Sequence, residues 1–195
     1  MYYTSSLLKK VEWALYFYFL PFYKEAKLAI FFVNQGATYK EERIGSYLWA
    51  PKLDKAGHKN RGYELMKEIH KGDFILNNAN GKIVAISIAN EDCQSKDQPR
   101  ELKEAQTIYE WDNEGWFVPV QYYDFSYPLK TSDFQDWLKD NPDKDSAFDK
   151  NGHPKLQYLC NLSPEHAKHI LEVALKLEDD PQVRNVIESA LKTLI

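Results

Sequence analysis

DFILNNANGKIVAISIA, residues 73–89, decides the fold. Two apolar runs flank Asn80-Gly81, and Asn-Gly takes the positive φ values of a type I′ turn at little cost. The segment therefore predicts a β-hairpin. Everything around it must be compatible with an antiparallel pair at the centre of the chain.

Working upstream, KLAIFFVNQ (27–35) is rich in β-branched and aromatic residues and predicts a strand. YKEERIG (39–45) reads as a polar connection, and SYLWAP (46–51) as a short strand stopped by Pro51. KLDKAGHKN (52–60) is a loop. RGYELMKEIHKGD (61–73) places Tyr63, Met66 and Ile69 at helical spacing, with Gly72 as the expected C-cap. Downstream, 91–106 is a polar excursion with a short helical pattern in PRELKEAQ. GWFVPVQYYDF (115–125) predicts a strand, at an edge or bulged because of Pro119. SDFQDWLKD (132–140) predicts a helix, and 141–155 a turn-rich loop. Two helices close the chain. The first has Ser163 as N-cap, Pro164 at N1 and Glu165 in its first turn.

Helices and strands do not alternate regularly, which argues against a doubly wound parallel sheet. The order predicts an α+β fold, a small mostly antiparallel barrel or curled sheet with flanking helices. The expected organisation is an N-terminal helical extension over 1–28, a central domain over 29–162, and a C-terminal helix pair over 163–195 packed on it.

The chain has 195 residues, 44% apolar and 28% charged, ordinary for a globular protein, but 14% aromatic. Surplus aromatics fill cores and also stack on bases. The formal net charge of −4 argues against a uniformly basic nucleic-acid binder. Cys93 and Cys160 suggest neither a disulfide framework nor a zinc site, and a reducing cytoplasm is expected. VEWALYFYFLPFY (11–23) is the most apolar run. It contains Glu12 and Pro21 and is too short to span a bilayer, so it is expected to dock as an amphipathic helix.

No phosphate-binding glycine loop, nucleophile elbow or H-E-x-x-H occurs. His166 and His169 are three apart near Glu165 and Glu172, but no third ligand is indicated and no metal is expected. No cofactor is expected either. A binding module is the stronger class. Charge is asymmetric: from Lys40 to Lys71 eight Lys/Arg face five Asp/Glu, and from Thr131 onward eight face twelve. The loop carrying Lys52, Lys55, His58, Lys59 and Arg61, with Arg43 upstream, is the expected rim for nucleic-acid phosphates beside Trp49. From charge alone the plainer reading is a solvated loop.

The runs FFVNQGATYKEERIGSYLWAPK, MKEIHKGDFIL, NGKIVAISIA and GWFVPVQYYDF together resemble the EVE family of the PUA-like group, which includes YTH domains. The resemblance spans Ala29 to Leu162 and is closest to the DNA-reading modules of Mcr-type, modification-dependent restriction systems. It implies a small β-barrel that takes a flipped, modified base into an aromatic cage. Trp49 matches the first cage tryptophan, with Ser46 and Tyr47 beside it. Trp111 is the best match for the second, with Tyr109 and Trp116 as competitors. Asn34, Gln35 and Gly36 would read the base edge. The resemblance further implies a modified-DNA partner, an association with a nuclease or motor subunit, and no catalysis by this chain. Alternatives are a modified-RNA reader on the same fold and a protein-interaction module docking through residues 11–23.

Overall fold

The computed structural model of this chain describes residues 28–105 and 113–195. The helical extension expected over 1–28 lies outside them but for its last residue. The apolar run after Ala29 forms β1 (Ile30–Asn34). Ile30 and Phe32 enter one buried cluster, Phe31 and Val33 another. Burial on both faces is why the run is continuous rather than alternating. A 3-10 turn (Gly36–Thr38) leads into α1 (Tyr39–Gly45), where a polar connection was expected. The helix is hard to see in sequence because it turns one charged residue inward: Glu42 is fully buried. Ser46, at φ 56°, ends it in the left-handed region, and β2 (Tyr47–Pro51) follows with every residue buried.

The helix expected over 61–73 is shorter. It consists of α2 (Arg61–Glu64) and a 3-10 turn (Leu65–Glu68), opened by Asn60, whose side chain accepts from the Gly62 amide. Gly72, at φ 94°, lies in the following turn rather than at the helix end. Next come β3 (Phe74–Ala79) and β4 (Lys82–Ala89), joined by Asn80 (φ 53°) and Gly81 (φ 73°), the expected hairpin. The polar excursion holds β5 (Gln94–Asp97) and α3 (Arg100–Glu104). β6 (Glu114–Lys130) is 17 residues long. A 3-10 turn and α4 (Gln135–Asp140) lead through the loop to β7 (Leu159–Asn161). α5 (Pro164–Leu177) is capped by Ser163, and α6 (Pro181–Lys192) by Asp180.

The sheet order is β2-β6-β4-β3-β1-β7, with β5 also on β6. Among the described residues only the β1–β3 pair is parallel. β6 is central, not an edge. Its first part pairs with β2 on one side and β5 on the other, and its second part with β4. Pro119 is tolerated because it falls between the last β4 pair (Ala89 with Val120) and the first β5 pair (Gln94 with Phe117). A missing N–H costs no ladder bond in that gap, and the Pro119 carbonyl is taken by the Asn90 amide at 2.8 Å. α5 and α6 cover one face through Ile170, Leu171, Val186 and Ile187. The concave face encloses Leu48, Ala50, Met66, Ile69, Val118 and Val120. The fold is α+β, a strongly curled, mostly antiparallel half-barrel with flanking helices. Among the described residues no helix is long and apolar enough to cross a membrane.

Candidate nucleic-acid interface

β2 alternates between two surroundings. Leu48 and Ala50 point into the concave core, whereas Tyr47 and Trp49 point out and meet Leu102 of α3 and Phe117 of β6. In register Trp49 pairs with Phe117 and Pro51 with Gly115. The indole lies over Gly115: a Cβ there would come within 2.3 Å of Trp49 Cε2 and 2.5 Å of the Ala50 carbonyl oxygen. Beyond Gly115 the indole Nε1 donates to the Lys96 carbonyl of β5 at 3.3 Å. Trp49 thus bridges three strands through a slot made by a missing side chain. It is 1% exposed.

Two buried polar atoms on these segments have no hydrogen-bond partner among the described residues. They are the Tyr47 hydroxyl and Gln98 Nε2, the latter two residues beyond Lys96. Burying such groups unpaired costs about 1–3 kcal/mol each. Burial and the nearby Glu42 raise the Tyr47 phenol well above its usual range. The Tyr47 ring packs on Phe117 at 5.3 Å between centroids, and Lys96 Nζ sits 4.1 Å from the Phe117 ring centre.

Behind β2 lies a buried polar network. Gln35 Nε2 donates to Glu42 Oε2 (2.9 Å) and to the Tyr122 hydroxyl (2.8 Å), and Gln35 Oε1 accepts from Asn77. The Tyr158 hydroxyl donates to Glu42 Oε2 (2.6 Å) and accepts from the Trp49 amide (3.1 Å). Thr38 completes the set with a short bond to Glu42 Oε1. Burial pushes the Glu42 carboxyl up to about 7, against the donors from Thr38, Tyr158 and Gln35 that favour its charged form. Asn34 Nδ2 donates to the Lys155 and Gln157 carbonyls, and its Oδ1 accepts from Asn78. Both amides expected to read a base edge therefore have their donors and acceptor oxygen engaged inside the fold. Gly36, at φ 48°, has open space where a Cβ would sit.

Trp116 is on the opposite face of β6 from Trp49. Its Nε1 donates to Glu64 (3.2 Å), and Lys52 and Lys67 stand 5.1 and 5.2 Å from its ring centre. The basic set is dispersed. Lys52 pairs with Glu114 at 2.7 Å, Lys59 approaches Glu64 at 3.9 Å, and Arg43 makes a bidentate pair with Asp124. The Arg43 hydrogen bonds hold Asp124 below the usual carboxylate range. Lys55 and His58 are exposed in the loop, which Asp54 folds by accepting from the Ala56 and His58 amides. Trp111 and Tyr109 lie outside the described residues. His166 is buried, with Nε2 on the Asn141 carbonyl and Nδ1 on Ser146, and His169 stacks on Trp137 at 3.8 Å.

Sequence reasoning missed Gly115, Lys96, Gln98 and Leu102. One signal was available: a glycine opening a strand marks a close approach. No family model and no curated protein matches the sequence. Among solved structures, a hypothetical protein from Leishmania major aligns over 76% of this chain and 96% of its own, at 10% identity and TM-score 0.51. The Pho92 YTH domain in complex with m6A aligns over 76% and 87%, at 9% identity and TM-score 0.50. The N-terminal domain of Staphylothermus marinus McrB aligns over 70% and 89% at 14% identity, with a TM-score of 0.39. The curled sheet with flanking helices is the fold of the YTH domain.

Proposed function

We propose that this chain reads a modified nucleobase in nucleic acid, DNA in the first place, by stacking it on Trp49, and that it catalyses no reaction itself. The observation that carries the reading is the Trp49 slot. A large flat indole is seated on Gly115, held through its N–H by Lys96, and flanked by two buried polar groups without partners among the described residues. Its likeness in fold to a YTH domain bound to m6A supports the same reading. A bound base displaces Leu102 from the indole. α3 is the element suited to yield: it has five residues, no side-chain cap at its start, and a single fully buried side chain. Helices this short have little stability of their own.

Stacking is worth about 1–3 kcal/mol per base, and extruding a base costs a few kcal/mol, so hydrogen bonds to the base edge must close the balance. The Tyr47 hydroxyl and the Gln98 amide can supply them, one as donor or acceptor and one as donor. Asn34 and Gln35 act one layer back, fixing the frame on which Trp49 rests. Trp111 is the proposed second wall, and a nuclease or motor subunit the proposed associate in a restriction or defence system. The test is affinity of the Trp49→Phe, Trp111→Leu double variant for a modified oligonucleotide. The reading expects at least tenfold weakening with the fold intact by circular dichroism, and unchanged affinity refutes it.

A further inference from the structure

A second concave site adjoins β7, the last strand of the sheet among the described residues, away from the Trp49 slot. It is a cavity of about 170 Å³ lined by Arg61, Lys144, Lys155, Asp145 and Gln157, with Ser146, Cys160 and Asn161 at its wall. Three cations face one carboxylate. Among the described residues none of the three cations lies within 4 Å of an acidic side chain. Lys52 and Lys67, by contrast, are paired with Glu114 and Glu64.

The cluster is held in place. Gly62, next to Arg61, packs so closely on the 157–158 backbone that a Cβ would come within 3.0 Å of the Tyr158 amide. Asn34 clamps the 155–157 turn from beneath through two carbonyls. Lys155 Nζ donates to the Lys144 carbonyl at 2.6 Å, which ties the two sides of the cavity together and leaves two N–H donors unspent. Gln157 Oε1 accepts from Cys160, and among the described residues the Gln157 amide N–H groups have no partner. The Ser146 hydroxyl is taken by His166 and the Ser163 amide, and so stiffens the wall. Burial raises the Cys160 thiol, and the Lys155 and Arg61 charges close to that wall oppose the rise.

We infer that this cavity is a phosphate-binding site, in which Arg61, Lys144 and Lys155 neutralise the anion and the Gln157 amide donates to it. An arginine fork with flanking ammonium groups matches phosphate geometry. The phosphate belongs to a nucleic-acid strand or to a free phosphorylated molecule. The site itself is independent of the base-reading proposal, and only the strand as source rests on that reading.

The test uses the whole chain with inorganic phosphate as probe, followed by amide NMR shifts at constant ionic strength. The inference expects saturable shifts at Lys144, Ser146, Gln157 and Asn161, weakened at least tenfold in Arg61→Gln, Lys144→Gln. It expects tightening in Asp145→Asn. Because neither Arg61 nor Lys144 makes a side-chain hydrogen bond or ion pair among the described residues, loss of binding is not loss of structure. Shifts that stay linear in phosphate, or that are the same in wild type and variant, overturn the site. An unmodified oligonucleotide titrated against salt then names the source. A salt slope shallower by roughly 1.5 in the double variant assigns the phosphate to a strand, since each lost contact removes about 0.7–0.9. An unchanged slope with saturable phosphate assigns it to a free molecule. Trp49→Phe leaves the phosphate titration unchanged, so failure of either proposal is read separately.

Discussion

Gly115→Ala is the sharpest test of the Trp49 slot, because two effects predict opposite signs. In an ordinary strand the change stabilises by about 0.4–1 kcal/mol through the unfolded chain. Here the new methyl meets the indole at 2.3–2.4 Å and the Ala50 carbonyl at 2.5 Å. The carbonyl is backbone in the β2–β6 ladder and cannot turn aside, so the indole must move and the strands must part. Overpacking of this kind costs about 1–3 kcal/mol. For a chain of this size each kcal/mol lowers Tm by roughly 2–4 °C. The expected result is a fall of roughly 2–12 °C, with Trp fluorescence shifting as the Nε1–Lys96 bond is lost. Part of the loss returns in a Trp49→Leu background, a coupling of about 1 kcal/mol between contacting sites. A Gly115→Ala protein as stable as wild type, or more stable, refutes the slot.

Glu42 makes a pH prediction. Its folded carboxyl is raised by burial to about 7, above the ordinary 4.5, so the folded state holds the extra proton between those values. Stability therefore falls as pH rises from about 4.5 to about 7 and is flat above, by on the order of 3 kcal/mol. Urea denaturation of Glu42→Gln across that range should lack this component, and identical pH profiles would contradict it. Asn34→Ala takes the side-chain donor from the Gln157 carbonyl and leaves the Lys155 carbonyl with the Gln157 amide alone, at a cost of about 1–3 kcal/mol. Hydrogen exchange should quicken at 155–158, and unaltered protection there would show that the clamp is not needed. Gly81→Ala, at φ 73°, should cost more than about 0.4–1 kcal/mol in chemical denaturation, because alanine is strained at the hairpin turn.

The sequence carried the elements whose reasons are local. Asn80-Gly81 specifies its own turn, and Ser163-Pro164 its own helix start. What it hid depends on partners far along the chain. β5 is a strand made of QSKD, with no apolar alternation, and it exists because its backbone pairs with β6. α1 looked like a connection because its one buried side chain is a glutamate, whose partners are Gln35 just after β1, Thr38 of the following turn and the distant Tyr158. Pro119 looked like an edge signal because the gap between β4 and β5 cannot be seen before the register is known. Trp49 was legible as an aromatic on a short strand, but its seat on Gly115 required the β2–β6 pairing. The cationic cavity joins Arg61 to Lys144 and Lys155, more than eighty positions away, and no local pattern announces it.

The central claim is that Trp49 receives a modified base. The direct measurement is a binding titration at one fixed, moderate salt concentration. It uses matched oligonucleotides, ribo and deoxyribo, single and double stranded, unmodified or carrying 5-methylcytosine, its hydroxymethyl form or N6-methyladenine. The account predicts a roughly tenfold or greater preference for one modified base, lost when Tyr47→Phe and Gln98→Ala are combined, since discrimination of this size is about 1.4 kcal/mol. Equal, weak binding to every oligonucleotide would contradict it and leave Trp49 as a packing residue between three strands.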